Sequence, residues 1–262
     1  MYGIIANPTK AGATELQARL ISMMDARNMR CKVFEEPEDI LSYGDAISML
    51  IVIGGDGSIL RYAEAASERD IPILGVNVGH IGFLAEIAPD RIEDMLLRLQ
   101  QRDYRFEERM MLTCSVNGGP VRRSLNDVLV YKRSFSGVTR MEVRIDGKSL
   151  GTVFCDGMVA ATPTGSTGYC LSAGGPVLVP EMRAIALAPV CSHTLHMKPT
   201  VSGASAEIEF ILEADGIVCI DGEHTYDVTN NDVVRVSGAE RGVRFVRFGE
   251  SNIFRLIAEK LV

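Results

Sequence analysis

The first hundred residues alternate short, uncharged apolar runs with stretches of helical spacing, and this rhythm constrains the fold more than any other feature. Ser48-Met-Leu-Ile-Val-Ile53 is the clearest run, nearly all apolar and halted by Gly54-Gly55. Tyr2–Asn7 and Ile71–Val76 are further runs of this kind, and Lys32–Phe34 is a weaker one. A strand with no polar face has to be covered on both sides, and so belongs inside a parallel sheet. The intervening segments supply the cover. Thr14-Glu15-Leu16-Gln17 has the capping-box pattern and opens an amphipathic stretch to about Met29. Residues 58–68 have helical spacing, and Asp90-Arg91-Ile92-Glu93 caps a helix to about Gln101. The expectation is an α/β domain with a parallel sheet and helices on both faces.

After about residue 104 the pattern changes to short β-leaning runs separated by Asn117-Gly118-Gly119, Asp146-Gly147 and Asp221-Gly222 turn signals. Val243–Phe248, VRFVRF, reads as the last strand of this β-rich, sandwich-like region. Only two helices are expected there, one after Thr167 and one over about 252–261. The predicted organisation is an α/β domain over 1–104, a β-rich domain over 105–249, and a last helix, 250–262, packing back on the first domain.

At 262 residues with 47% hydrophobic and 23% charged side chains, the chain has enough apolar material for two packed cores. Its net charge of −7 argues against broad nucleic-acid binding, which depends on basic side chains neutralising phosphates. No uncharged apolar run approaches the roughly 18 residues of a membrane span, and the first residues lack the basic and apolar regions of a signal peptide. A cytoplasmic protein with no membrane or nucleic-acid partner is expected. The six cysteines include no C-x-x-C pair and read as small buried hydrophobes.

Two motifs carry chemistry. Gly54-Gly55-Asp56-Gly57-Ser58 lies between a buried strand and a helix. Its glycines permit close approach and positive φ, and its N–H groups with the helix start offer an anion site. Asp56 would repel an anion, so it reads as a metal anchor or as a base for an attacking hydroxyl. The second motif, Asp156 to Tyr169, contains Thr162-Pro163-Thr164-Gly165-Ser166-Thr167-Gly168-Tyr169. Its four hydroxyls and two glycines offer adaptable hydrogen bonds, and Tyr169 could stack on a base or ribose.

Together with Asn77-Val78-Gly79-His80-Ile81-Gly82-Phe83-Leu84 and Asn126-Asp127, these motifs resemble the NAD kinase family, in order and spacing, over essentially the whole chain. The Thr-Pro-Thr-Gly-Ser-Thr element is the specific part, since lipid kinases and phosphofructokinases share similar glycine loops. The resemblance implies phosphoryl transfer to the adenosine-ribose 2′-hydroxyl of NAD from ATP or polyphosphate, with Mg²⁺ on the donor phosphates. It implies Asp56 as proton acceptor, Gly54, Gly55 and Ser58 as the phosphate loop, and Gly57 beside the acceptor. Arg61 would reach a phosphate, and Phe83 would pack on the adenine side. Asn126 and Asp127 would bind the dinucleotide, and Asp156 would hold its nicotinamide end. Thr164, Thr167, Gly168, Tyr169 and Ser172 would line the rest of the pocket, which is expected between the domains. Cys191 and Glu223 fall at family contact positions but read equally well as packing and hairpin turn.

Ser58, Gly168, Asp127 and Glu223 stand where the family more often has Thr, Ala, Glu and Gln, which bears on nucleotide preference rather than activity. A homodimer or homotetramer is implied. His193 and His196 have i, i+3 spacing but sit in loop or strand, His80 is open between packing and pocket, and His224 reads as surface. The rivals are a lipid or sugar kinase, for which no basic apolar segment or acceptor motif is found, and a silent dinucleotide sensor. A Rossmann dehydrogenase would need a G-x-G-x-x-G after the first strand, which is absent.

Overall fold

The computed structural model describes residues 1–43, 46–79, 82–194, 197–249 and 258. The chain forms two compact units, Met1–Glu108 with the segment returning at Val243, and Arg109–Gly242. The first unit begins β1 (Tyr2–Ala6), α1 (Ala13–Asp25), β2 (Cys31–Val33), α2 (Pro37–Tyr43), β3 (Met49–Gly54), α3 (Asp56–Glu68), β4 (Ile73–Asn77), α4 (Ile92–Gln101) and β5 (Arg105–Arg109). Strands β1 to β4 pair in parallel, with β3 central and all six of its residues buried. Ile51, Ile53, Leu74 and Val76 pack with Leu16 and Leu20 of α1 and with Met95 and Leu99 of α4. On the opposite face Gly75 lets Ile59 of α3 approach so closely that a Cβ would lie 2.7 Å from its Cδ1. Burial on both faces explains the uncharged run, each such aliphatic side chain stabilising by about 1.5–3 kcal/mol.

Helix ends differ from the sequence reading. Gly12, at φ 81°, turns the chain into α1 before Thr14, which therefore lies within the first turn and does not cap it. Asn28 is left-handed at φ 56°, so α1 stops at Asp25 and not near Met29. A 3-10 turn over Pro89–Arg91 precedes α4, and no side chain caps that helix either.

The second unit contains β6 (Leu112–Val116), β7 (Arg122–Ser124), β8 (Asp127–Lys132), β9 (Thr139–Ile145), β10 (Lys148–Cys155), β11 (Gly157–Ala161), α5 (Tyr169–Ser172), β12 (Ala184–Val190), β13 (Thr200–Gly203), β14 (Ile208–Leu212), β15 (Gly216–Ile220), β16 (His224–Val228) and β17 (Val233–Gly238). Among the described residues they form two antiparallel sheets, β10-β9-β14-β17-β6-β7 and β13-β12-β11-β8-β15-β16. The core lies between them, with Phe210, Val143 and Val236 from one sheet against Val130, Met158 and Val218 from the other. The Asn-Gly and Asp-Gly pairs take the left-handed conformation that their sequence suggests: 51° and 70° at Asn117-Gly118, 50° and 72° at Asp146-Gly147, 53° and 73° at Asp221-Gly222. Strands β11 and β12 are rich in alanine because their outer face is also covered. Ala161, Ala184, Ala186 and Ala188 pack against Cys170 and Leu178, which lays the Thr162–Tyr169 loop close over the sheet.

From there the chain returns as β18 (Val243–Arg247), with Phe245 opposite Ile73 of β4. The first sheet thus runs β2-β1-β3-β4-β18-β5. VRFVRF is therefore a strand of the α/β unit and not of the sandwich, and the β-rich unit ends at Gly242 rather than at 249. The physical reason is its burial: Val243, Phe245, Val246 and Arg247 are all buried, without the alternation of a half-exposed strand. The helix expected over about 252–261 lies, but for residue 258, outside the described residues. No helix among the described residues is long and apolar enough to cross a membrane.

Candidate active site

In the first unit, β3 delivers Gly54 to the start of α3. A Cβ on Gly54 would stand 2.3 Å from Ser58 Oγ, so glycine is required for the helix to pack here. Gly55 and Gly57 have open space above them. Gly55 is extended at φ −124°, and none of the three glycines takes the positive φ that the sequence reading allowed them. What Gly55 and Gly57 supply is room for a ligand, beside the N–H groups of Asp56 and Gly57 at the open first turn of the helix. Ser58 is buried, and its Oγ accepts from Asn7 Nδ2 at 2.9 Å and from the Gly55 N–H at 3.4 Å. Asn7 Oδ1 in turn accepts from the N–H and hydroxyl of Thr9, tying the loop after β1 to the glycine loop.

Asp56 is half-buried, and its carboxylate accepts three consecutive backbone N–H groups. Phe83 donates to Oδ2 at 2.7 Å, while Leu84 and Ala85 donate to Oδ1 at 3.0 and 3.1 Å. Gly82 makes this approach possible, since a Cβ there would lie 1.9 Å from Oδ1. A carboxylate offers about four lone-pair positions, so one, on Oδ2, has no donor among the described residues. Behind the loop stands Arg247, 2% exposed, donating through Nη1 to the Leu84 carbonyl at 3.0 Å and through Nε to Glu107 at 3.3 Å. Its second carboxylate, Glu86, is 3.5 Å away. Nothing in the sequence of VRFVRF separates buried Arg247 from Arg244 of the same strand, which is partly exposed.

Arg61, one turn into α3, is partly exposed and ion-paired with Glu36. It borders a cavity of about 380 Å³, shared with Asn7, Thr14, Phe34, Ser58 and Tyr62. The strand order β2-β1-β3-β4 puts this cavity beside the loops after β1 and β3, the switch point at which α/β sheets bind ligands.

In the second unit, segment 124–127 is held on two sides. The Asp221 carboxylate accepts the Ser124 hydroxyl and the N–H groups of Leu125, Asn126 and Asp127. On the other side Thr162 donates its hydroxyl to Leu125 O at 2.6 Å and its N–H to Asn126 O at 2.9 Å. The hydroxyl-rich loop mostly serves itself. Thr162, Thr164 and Ser166 are buried. Ser166 Oγ bridges Pro163 O and the Leu178 N–H, and Thr164 Oγ1 faces Arg109 at 3.5 Å. The expectation of four adaptable hydroxyls is thus corrected to one, Thr167, which bonds Thr164 O at 3.3 Å and is half-buried. Gly168, Tyr169 and Ser172 are exposed beside it.

Asp156 is paired with Lys132 Nζ at 2.5 Å, and that bond holds its carboxyl below the usual carboxylate range, with the Cys191 thiol and Tyr131 hydroxyl adding to the effect. Burial, reinforced by Cys191, Asp127 and Asp156, raises the Tyr169 hydroxyl, so these four predicted residues share one environment. Asp127 is pushed up to about 7 by burial and by the Asp221 charge. Burial also acts upward on Asp221, while its four donors pull it back.

Cys191 is exposed and left-handed at φ 50°, which corrects the reading of all six cysteines as buried. Cys31 and Cys219 are partly exposed, leaving Cys114, Cys155 and Cys170 as the buried ones. Glu223 is exposed in the β15–β16 turn, where its N–H bonds Ile220 O. His224, expected at the surface, is half-buried with Nε2 2.9 Å from Arg122 Nη2. His193 is exposed, and His80 and His196 lie outside the described residues. Among the described residues no three His, Cys, Asp or Glu side chains converge on a metal position.

Residues 10–104 match the ATP-NAD kinase N-terminal domain, and residues 125–248 match the ATP-NAD kinase C-terminal domain. The NAD kinase of Moorella thermoacetica is 36% identical, over 99% of this chain and 88% of its own. That of Thermococcus sibiricus is also 36% identical, over 95% of this chain and 94% of its own. Among solved structures, an NAD kinase from Archaeoglobus fulgidus in complex with ATP superposes with a TM-score of 0.83 at 26% identity, covering 100% of this chain and 98% of that one. Yeast NADH kinase, complexed with NADH, has the same fold, with a TM-score of 0.91 at 22% identity over 100% of this chain and 87% of that one. A parallel-sheet unit and an antiparallel sandwich with these whole-length likenesses define a phosphotransferase with an alcohol group as acceptor. The chain belongs to the NAD kinase family and has that enzyme activity.

Proposed function

We propose that the chain transfers the terminal phosphoryl group of ATP, or of inorganic polyphosphate, to the adenosine-ribose 2′-hydroxyl of NAD, giving NADP. The observation that carries this reading is the Asp56 carboxylate, fixed by three N–H donors with one Oδ2 lone pair left over among the described residues. That lone pair accepts the 2′-hydroxyl proton as the ribose oxygen bonds to phosphorus. The bond from phosphorus to the bridging oxygen then breaks, and ADP or the shortened polyphosphate leaves. Phosphoryl transfer asks for positioning and charge neutralisation above all, and a carboxylate is a weak base near neutrality. Orientation of the hydroxyl is therefore a large part of what Asp56 supplies.

Gly55 and Gly57 give the donor phosphates their approach to the first turn of α3, and Gly54 lets Ser58 pack beneath the loop. Ser58, turned toward Asn7, braces that loop instead of contacting phosphate. Arg61 reaches a phosphate by exchanging Glu36 for it. Phe83 packs on the adenine side, Asn126 and Asp127 bind the dinucleotide, and Asp156 holds the nicotinamide end. Thr167, Gly168, Tyr169 and Ser172 line the pocket, with Thr164 beneath them and Cys191 and Glu223 at its margin. The ATP complex of the Archaeoglobus relative supports ATP as donor.

Mg²⁺ fits this site through the donor. No three ligand side chains converge among the described residues, and three of the Asp56 lone pairs are taken. Held by the donor's phosphates, Mg²⁺ would supply charge neutralisation during the transfer. A homodimer or homotetramer working in the cytoplasm completes the proposal.

The test mixes purified protein with NAD, ATP and Mg²⁺ and reads NADP through an NADP-specific dehydrogenase, with polyphosphate as a parallel donor. NADP formation in wild type and its near loss in Asp56→Asn are expected. Dinucleotide binding without turnover on any donor would instead favour the sensor reading.

A further inference from the structure

Asp-Gly in a hairpin is usually explained by the turn itself, and Asp221 does take the left-handed conformation, φ 53°, that such a turn requires. Its side chain does something else. It leaves the hairpin and enters the bend before β8, 95 residues away in sequence. There its two oxygens accept the Ser124 hydroxyl at 2.6 Å and the N–H groups of Leu125, Asn126 and Asp127 at 2.7, 2.7 and 3.1 Å. The Asp221 N–H donates back to Asp127 O at 3.0 Å. Three successive N–H groups around one anion form a nest, here filled by a side chain of the same molecule.

The opposite edge of the bend is equally fixed. Thr162 takes up the carbonyls of Leu125 and Asn126, and Gly165 lies so close that a Cβ would stand 2.1 Å from Asn126 O. With its N–H groups on Asp221 and these two carbonyls on Thr162, the bend has its side chains left for a ligand. Those of Asn126 and Asp127 are half-exposed.

We propose that Asp221 is a positioning residue for the acceptor: its carboxylate sets the bend that aims Asn126 and Asp127 at the dinucleotide. The inference rests on the proposed binding role of those two residues and goes beyond it. Three of its four donors gather on Oδ1 and Leu125 holds Oδ2, so the carboxylate is spent on the bend and acts through its neighbours. It also adds to the ionisation shift of Asp127, whose carboxyl is raised to about 7 first by burial and then by the Asp221 charge. The other ionisable groups facing Asp127 are Tyr169 and Cys170 of α5.

The experiment measures steady-state kinetics of Asp221→Asn, with Asn126→Ala and Ser124→Ala beside it, each checked for cooperative thermal unfolding above the assay temperature. Hydrogen bonds to a charged group are stronger than those to a neutral one, and Asn keeps part of the set. Asp221→Asn is therefore expected to raise the KM for NAD about tenfold, leaving the KM for ATP within about twofold and kcat within about threefold. The break in the pH profile of the NAD KM should move to lower pH, because the charge that raises Asp127 is gone; a purely structural residue would not move it. Ser124→Ala, which removes one donor and keeps the acid, should give a smaller rise, and it carries the test if Asp221→Asn does not fold. An unchanged NAD KM in Asp221→Asn, or equal rises for NAD and ATP, overturns the inference while Asn126→Ala still raises the NAD KM. An unchanged NAD KM in Asn126→Ala overturns the reading of the site itself.

Discussion

Asp56 and Asp221 are the same device put to two uses. Each sits next to glycine, and each gathers three consecutive backbone N–H groups from a distant segment. One difference is a hydrogen bond. Ser124 gives Asp221 a fourth donor, whereas Asp56, at the half-exposed start of a helix, has three among the described residues. Each carboxylate has a single donor on Oδ2 among the described residues, so what surrounds that oxygen decides its use. Asp56 borders the open space over Gly55 and Gly57, while burial is the largest influence on Asp221. Surroundings thus separate the acid that arranges a site from the acid that works in it.

The comparison can be broken first on the Asp56 side. Arg247 props the Leu84 carbonyl and neutralises Glu107 and Glu86. Arg247→Met would remove the buried cation that Glu86 and Glu107 share, although Glu107 keeps Arg105 at 3.6 Å, and removing one partner of a buried pair costs about 3–5 kcal/mol. A loss of unfolding free energy approaching that size, read from urea titration, is expected together with reduced kcat; an unchanged stability would remove Arg247 from the account. Next in size is the effect on the Asp221 side, the tenfold rise in the NAD KM argued above.

Asp127 sharpens the contrast through pH. Its carboxyl is raised from 3.8 to about 7 in the fold, so between those values the folded chain holds a proton that the unfolded chain has lost. Stability should fall as pH rises through this range and level off above about 7. Asp127→Asn, which mimics the protonated form, should flatten the profile of thermal midpoints between about pH 5 and 8. A mutant profile as steep as wild type would contradict the assignment. The smallest effect is expected from Ser58→Ala, which removes one brace to Asn7. It should lower stability by about 1 kcal/mol and leave the KM for NAD unchanged.

Local signals were legible in the sequence wherever a few neighbouring residues decide the outcome. The six-residue β3 declared itself by lacking any polar face, and the Asn-Gly and Asp-Gly turns by their composition. Helix α2 left no such mark, because Ile40 is its one buried residue and a single apolar position has no period. Long-range contacts were illegible for a related reason. Nothing near Asp221 announces a partner 95 residues earlier, and nothing near Arg247 points to a carbonyl 163 residues away. The hydroxyl-rich loop misled in the opposite direction. Its composition resembles a ligand-binding surface, yet Thr162 and Ser166 spend their hydroxyls on folding the loop over its sheet.

The central claim is that the open position on Asp56 acts on the acceptor hydroxyl. Its most direct test is the single-turnover rate of NADP formation in Asp56→Asn at saturating NAD, ATP and Mg²⁺, with NAD affinity and the unfolding midpoint measured on the same sample. The account predicts a rate at least about a hundredfold below wild type, with NAD affinity within about threefold and a folded protein at assay temperature. A rate within a few-fold of wild type would show that Asp56, like Asp221, only holds its loop in place.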